Sequence, residues 1–220
     1  MLFVQEFRLV TSSIKEAKNM SKSLNEQLFE ATHYGKTDEI KKVINEGADV
    51  NIQDAKGRTP AMIATYNNDV ETIKVLLKAG ADVNIRDNMK NNPFLYAGAE
   101  GYLDIVRLTI KAGADPKVTN RYGGTALIPA SERGYVDVVL ELLTNTNIDV
   151  NHVNNIGWTA LLEAIILSNG DEKQQRIVQM LIEHGANVNI SDKDNITPLQ
   201  HAVERNFKEI IEILLQAKAI

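Results

Sequence analysis

The stretch DAKGRTPAMIATYNNDVETIKVLLKAGADVN, residues 54–84, decides how the rest of the chain is read. It opens on a turn, DAKGRT, in which Gly57 can take the positive φ that other residues avoid. Thr59 suits a helix N-cap, and Pro60 the first helical position, where its missing N–H costs no hydrogen bond. Ala61, Met62 and Ala64 follow on a short helix, which NND breaks. Val70, Ile73, Leu76 and Leu77 then recur at helical spacing, predicting a second helix that Gly80 can end in left-handed geometry.

The unit recurs. GRTPAMIAT, NNPFLYAGA, GTALIPAS, WTALLEAI and ITPLQHAV align, and their closing alanines are Ala64, Ala97, Ala130, Ala164 and Ala202, spaced 33, 33, 34 and 38 apart. An earlier copy, NEQLFEAT, ends at Ala31, again 33 residues before the next. GADVN, GADVN, GADPK, NIDVN and GANVN keep the same phase. Helix pairs stack closely at the small alanine, where a larger side chain would overpack the contact at a cost of about 1–3 kcal/mol. One extra residue falls in TNTNID, and five fall between the two helices of the fifth unit, in SNGDEKQQ. The ends read as caps: Ser23 and Glu26 form a capping box, and Lys208, Glu209, Glu212 and Gln216 face outward on the last helix.

Two motifs in phase at this period resemble the ankyrin repeat, over about residues 23 to 220. NRYGGTALIPASERGY and GWTALLEA further resemble a bacterial subgroup of ankyrin proteins with no firmly assigned activity. The resemblance implies an all-α solenoid of about six helix-turn-helix units joined by β-turn loops, at approximately 23–53, 54–86, 87–119, 120–153, 154–191 and 192–220. Residues 1–22 form an N-terminal extension, as a helix against the first unit or as a tail. The histidine usual in the family is replaced by Met62, Leu95, Ile128, Leu162 and Gln200, so coupling between turns is expected to rely more on packing.

The totals narrow the function. In 220 residues with a net charge of −5 there is no basic excess to suggest nucleic acid. Zero cysteines exclude disulfides, thiol catalysis and cysteine-bound zinc. No apolar run reaches a membrane span, and MLFVQEFRLV is a poor secretory signal. The compartment stays open, the cytoplasm ahead of an exported form with its signal removed. His33, His152, His184 and His201 form no metal-ligand pair, Gly123-Gly124 fills the turn slot of Gly57-Arg58 and Gly157-Trp158, and no nucleophile elbow occurs. No cofactor, no metal and no catalysis are expected.

What remains is a surface. The resemblance implies binding through turn tips and exposed positions of the first helices, by a monomer, to a protein or peptide. Those slots hold Lys56, Arg58, Tyr66, Met89, Asn91, Glu100, Arg121, Tyr122, Glu132, Arg133, Ile156 and Trp158. Met89, Tyr122, Ile156 and Trp158 are large and apolar, and Trp, Tyr and Arg dominate binding hot spots. Trp158 and Tyr122 either meet a partner or fold onto neighbouring turns; a small molecule or sugar in a Tyr122/Trp158 pocket is the alternative ligand. Glu163 stands in the slot of Ile63, Tyr96 and Pro129, an inward position in the family. It is expected either to bond a neighbour, with Arg133 the candidate, or to be partly exposed. Pro129 is expected as the fourth helical residue after a Thr125 N-cap.

Overall fold

The computed structural model describes residues 22–220, so the extension expected at 1–22 lies, but for Lys22, outside the described residues. Within them stand twelve helices and no strand. They run in six pairs: α1 (Leu24–His33) with α2 (Thr37–Asn45), α3 (Pro60–Tyr66) with α4 (Val70–Lys78), and α5 (Pro93–Glu100) with α6 (Leu103–Lys111). The series continues with α7 (Leu127–Glu132) and α8 (Val136–Asn145), α9 (Ala160–Ile166) and α10 (Glu172–Glu183), and α11 (Pro198–Glu204) and α12 (Lys208–Gln216). Each helix packs on its pair partner and on the equivalent helix of the next pair, which makes the solenoid.

Local chemistry starts the helices as the sequence suggests. Ser23 and Glu26 close a capping box on α1, and Thr59 accepts from the Met62 amide with Pro60 in the first turn of α3. Asn92, Thr159 and Thr197 cap α5, α9 and α11 in the same way. The closing alanines from Ala64 to Ala202 are fully buried, which is why no larger residue occupies that slot. One continuous hydrophobic core, from Leu28 to Ala219, runs through the stack.

Three departures from the expected pattern have local causes. The five extra residues of the fifth unit do not all fall in a loop. Two widen the connection to 167–171, against 67–69 in the second unit, and three lengthen the following helix to 12 residues, against 9 in α4. The single extra residue of the fourth unit likewise extends α8 to 10 residues, and the helix ends on extended Thr146 rather than a left-handed glycine. Thr146 Oγ1 closes that end by donating to the Leu142 carbonyl.

The third departure is the start of α7. Thr125 is not its N-cap; Ala126 is, already in helical geometry, and Pro129 is the third helical residue. Pro129 has no N–H for the Thr125 carbonyl, which takes the Ile128 amide instead, at 3.3 Å. The first turn tightens to a 3₁₀-type bond. The Ile128 amide is the donor that a Thr125 cap would need, so the buried Thr125 hydroxyl is left with no hydrogen-bond partner.

Hydrogen bonds also join the turns, beside the packing expected to carry more of the coupling where the family's histidines are absent. Asn51 Nδ2 donates to the Gly80 carbonyl while its Oδ1 accepts from the Asp82 amide. Asn84 repeats this with Gly113 and Asp115, and Asn151 with Gly185 and Asn187. The asparagine that ends three of the GADVN-like motifs is therefore a rung between units. Lys117 breaks the ladder between the third and fourth.

Candidate functional site

Every turn tip after the first unit is held by one device. A carboxylate or amide oxygen accepts the backbone N–H groups two and four residues on, a side-chain copy of a turn bond. Asp54 holds Lys56 and Arg58, Asp87 holds Met89 and Asn91, and Asn120 holds Tyr122 and Gly124. Asn154 holds Ile156 and Trp158, and Asp192 holds Asp194 and Ile196. These anchors recur at the alanine spacing, a signal present in the sequence that pattern reading passed over. Gly123 completes the fourth tip at φ +76°, where a Cβ would collide with the Asn155 side chain. The paired glycines of that stretch thus serve turn geometry.

The device puts Met89, Tyr122 and Ile156 at equivalent places on successive tips, with 49%, 60% and 52% of their surface exposed. Three large apolar side chains in register form a stripe rather than scattered surface residues. The stripe borders a cavity of about 470 Å³. Met89, Asn91, Arg121, Tyr122 and Ile156 line it from the turns, and Tyr66, Tyr96, Glu100, Pro129, Glu132, Arg133 and Glu163 from the first helices. The structure thus gathers most of the expected site residues around one hollow. Lys56, Arg58 and Trp158 are not in its lining. Arg58 is held by Asp54 at 2.6 Å, and Trp158 is half-buried. A larger groove, about 650 Å³, runs between α2 and α4, where Lys41 pairs with Asp38 at 3.1 Å and Lys74 with Glu71 at 2.6 Å, each along its own helix.

The polar groups of the cavity are arranged unevenly. Arg133 Nη1 donates to Glu100 Oε1 at 2.9 Å and to the Ala99 carbonyl at 2.5 Å, reaching back one unit. Arg121 lies over the Tyr122 ring at 4.7 Å and donates to Tyr122 Oη at 2.6 Å and toward Met89 Sδ at 3.8 Å. Tyr66 Oη donates to Asp87 at 2.5 Å, and its ring meets Tyr96 edge-on at 4.4 Å. Burial, and then the bond to the Asp87 carboxylate, push the Tyr66 phenol up to about 12.

Glu163 is buried, only 7% exposed, and its partner is Asn154, not Arg133. Asn154 Nδ2 donates to Glu163 Oε1 at 2.7 Å, so the amide that anchors the fifth tip also ties it to α9. Arg133 is committed to the third unit, which is why it does not reach the glutamate. Burial pushes the Glu163 carboxyl up to about 7, the Glu132 charge adds to the rise, and the Asn154 bond offsets part of it. Among the described residues no group of three or more His, Cys, Asp or Glu could hold a metal ion, and no helix is long and apolar enough to cross a membrane.

Comparison with known proteins agrees with this geometry. The family model for ankyrin repeats (3 copies) matches residues 28–120, 96–192 and 155–220. Over 81 residues the chain is 54% identical to the ankyrin repeat protein YahD of Escherichia coli (strain K12), a match that spans 37% of this chain and 40% of YahD. An ankyrin repeat domain from Acinetobacter baumannii AYE, solved by crystallography, is 51% identical and superposes with a TM-score of 0.86, covering 88% of this chain and 98% of that one. The ankyrin repeat protein EF0377 is 38% identical with a TM-score of 0.84, over 87% of this chain and 98% of its own. Repeat period, helix pairs, turn anchors and these matches together mean that the chain belongs to the ankyrin repeat family.

Proposed function

We propose that this chain is a non-enzymatic interaction module that binds a protein or peptide across the tips and first helices of its third, fourth and fifth units. The observation that carries the reading is the exposed Met89, Tyr122 and Ile156 stripe at the mouth of a cavity that also offers carboxylates and guanidinium groups. Apolar anchors beside directional polar groups are the make-up of binding hot spots. Ankyrin repeats in general are protein-interaction modules, and the central units here depart most from a solvated rim.

The test is a binding-face variant. Tyr122→Ala with Ile156→Ala removes two exposed side chains whose loss leaves the buried core intact, so far-UV circular dichroism and melting temperature should stay near wild type. Peptides selected from a random displayed library on the wild-type protein should lose binding to this variant. Selection that yields only peptides indifferent to the two substitutions would sink the reading. A small polar ligand is the second reading, favoured by a cavity whose volume lies in the range of ligand sites. Its Trp158 component is dropped, since the lining holds Tyr122 without Trp158.

A further inference from the structure

We propose that the floor of this cavity receives a basic side chain of the bound partner, arginine or lysine, with its cation against Glu132 and Glu163 and its stem along Tyr96 and Tyr122. The inference rests on the partner-binding reading and names what the partner must present.

Four observations converge. Glu163 lines the cavity while more than nine-tenths buried, and no donor in the described residues meets its Oε2. Glu132, on the same lining, has a carboxylate with neither hydrogen bond nor ion pair; only its backbone carbonyl is used, by Gln174. Both arginines of the lining direct their hydrogen bonds elsewhere, Arg133 to Glu100 and Arg121 to Tyr122 and toward Met89, so neither bonds to Glu132 or Glu163, and Arg133 attracts Glu132 only through space. Tyrosines share the lining with the carboxylates, and a cation is drawn to both.

The physical chemistry selects the sign. Two carboxylates in one partly dry hollow repel each other and disfavour ionisation, and a cation entering between them relieves both effects. An anion would meet two carboxylates that no hydrogen bond from an arginine covers. A neutral apolar side chain would bury them further without partners, the costly case for a charged group. Arginine fits well, since its planar group can bond a carboxylate while stacking on a ring.

The experiment uses the full chain and the selected peptides. Those lost on the Tyr122→Ala, Ile156→Ala variant should each carry an arginine or lysine whose replacement, by citrulline or norleucine respectively, weakens binding at least tenfold by calorimetry. Glu132→Gln with Glu163→Gln should weaken the unmodified peptide by a similar factor and abolish its preference over the neutral analogue. In carbon-detected NMR titration, the bound peptide should move the Glu163 carboxyl toward the ordinary glutamate range. Tip-dependent peptides without a basic residue, or equal affinity for citrulline and arginine forms, would overturn the cation pocket while leaving partner binding in place. A free small amine that binds as tightly as the peptide would overturn the assignment to a partner side chain. No tip-dependent peptide at all would remove the broader reading and this one with it.

Discussion

Replacing Glu163 by glutamine should make the protein more stable at neutral and alkaline pH, and by an amount that itself depends on pH. The glutamate is buried on α9, and its carboxyl titrates near 7 rather than at the ordinary 4.5. Below pH 4.5 the group is protonated in the folded and the unfolded chain, and the two proteins differ little. Between 4.5 and about 7 only the unfolded chain releases the proton, so wild-type stability falls as pH rises. Above 7 the folded chain must hold a buried carboxylate facing Glu132, and the loss is complete. At about 1.4 kcal/mol per pH unit, the interval from 4.5 to 7 corresponds to about 3 kcal/mol. For a chain of this size that amounts to roughly 6–12 °C in melting temperature.

Glutamine keeps the shape and an oxygen for Asn154 Nδ2, so the comparison isolates charge. Urea unfolding of both proteins from pH 4 to pH 9, differenced at each pH, cancels the carboxylates they share. The expected difference is near zero at pH 4, climbs through pH 5–7 and levels at about 3 kcal/mol in favour of glutamine. Glu163→Leu should gain less, by about 1 kcal/mol, because it leaves Asn154 Nδ2 unpaired. A difference that is flat with pH, or that favours glutamate above pH 7, would refute the account of a desolvated carboxyl.

Thr159→Val should cost about 1 kcal/mol by removing the cap on Leu162, while Thr125→Val should cost nothing measurable, since that hydroxyl has no partner to lose; thermal melts of the two variants check the contrast. Pro129→Ala should raise the melting temperature by roughly 2–4 °C, by giving the Thr125 carbonyl its missing donor and freeing the Ile128 amide for the hydroxyl. Asn84→Ala should cost about 1–2 kcal/mol in urea unfolding through the loss of both bonds to the next unit. Gly123→Ala should destabilise by at least about 1 kcal/mol, because φ is +76° and the new Cβ collides with Asn155; hydrogen exchange at the fourth tip should rise with it.

The repeat was legible because each unit writes its own boundaries. Thr59-Pro60 and Gly80 state a helix start and a helix stop in terms of backbone chemistry alone, and the structure follows them. What was not legible depends on partners far apart in the chain. Arg133 pairs with Glu100 across 33 residues, and nothing near Arg133 in the sequence favours that partner over Glu163. The five extra residues of the fifth unit read as loop because SNGD is turn-like, yet EKQQ continues the helix that follows once Asp171 caps it. The start of α7 failed for a subtler reason. Thr125 looks like its counterparts, and only the competition between two acceptors for one amide decides that it does not cap.

These local failures cluster in one place, and that bears on function. The position just before each closing alanine holds Ile63, Tyr96, Pro129, Glu163 and His201, five residues of different chemistry. Tyr96, Pro129 and Glu163 all line the cavity, and two of them carry a local cost: one deprives a buried hydroxyl of its bond, the other buries a carboxylate beside another. Neither is needed to stack a repeat, since Ile63 fills the same slot without either cost. Sites where local chemistry works against stability tend to be functional sites, where the fold elsewhere tolerates the loss. Variants that relieve both costs, Pro129→Ala and Glu163→Gln together, should therefore give a more stable stack with a poorer binding face. Gain in melting temperature accompanied by loss of peptide affinity is the pairing to measure; gain in both would mean that the two irregularities serve neither the stack nor the partner.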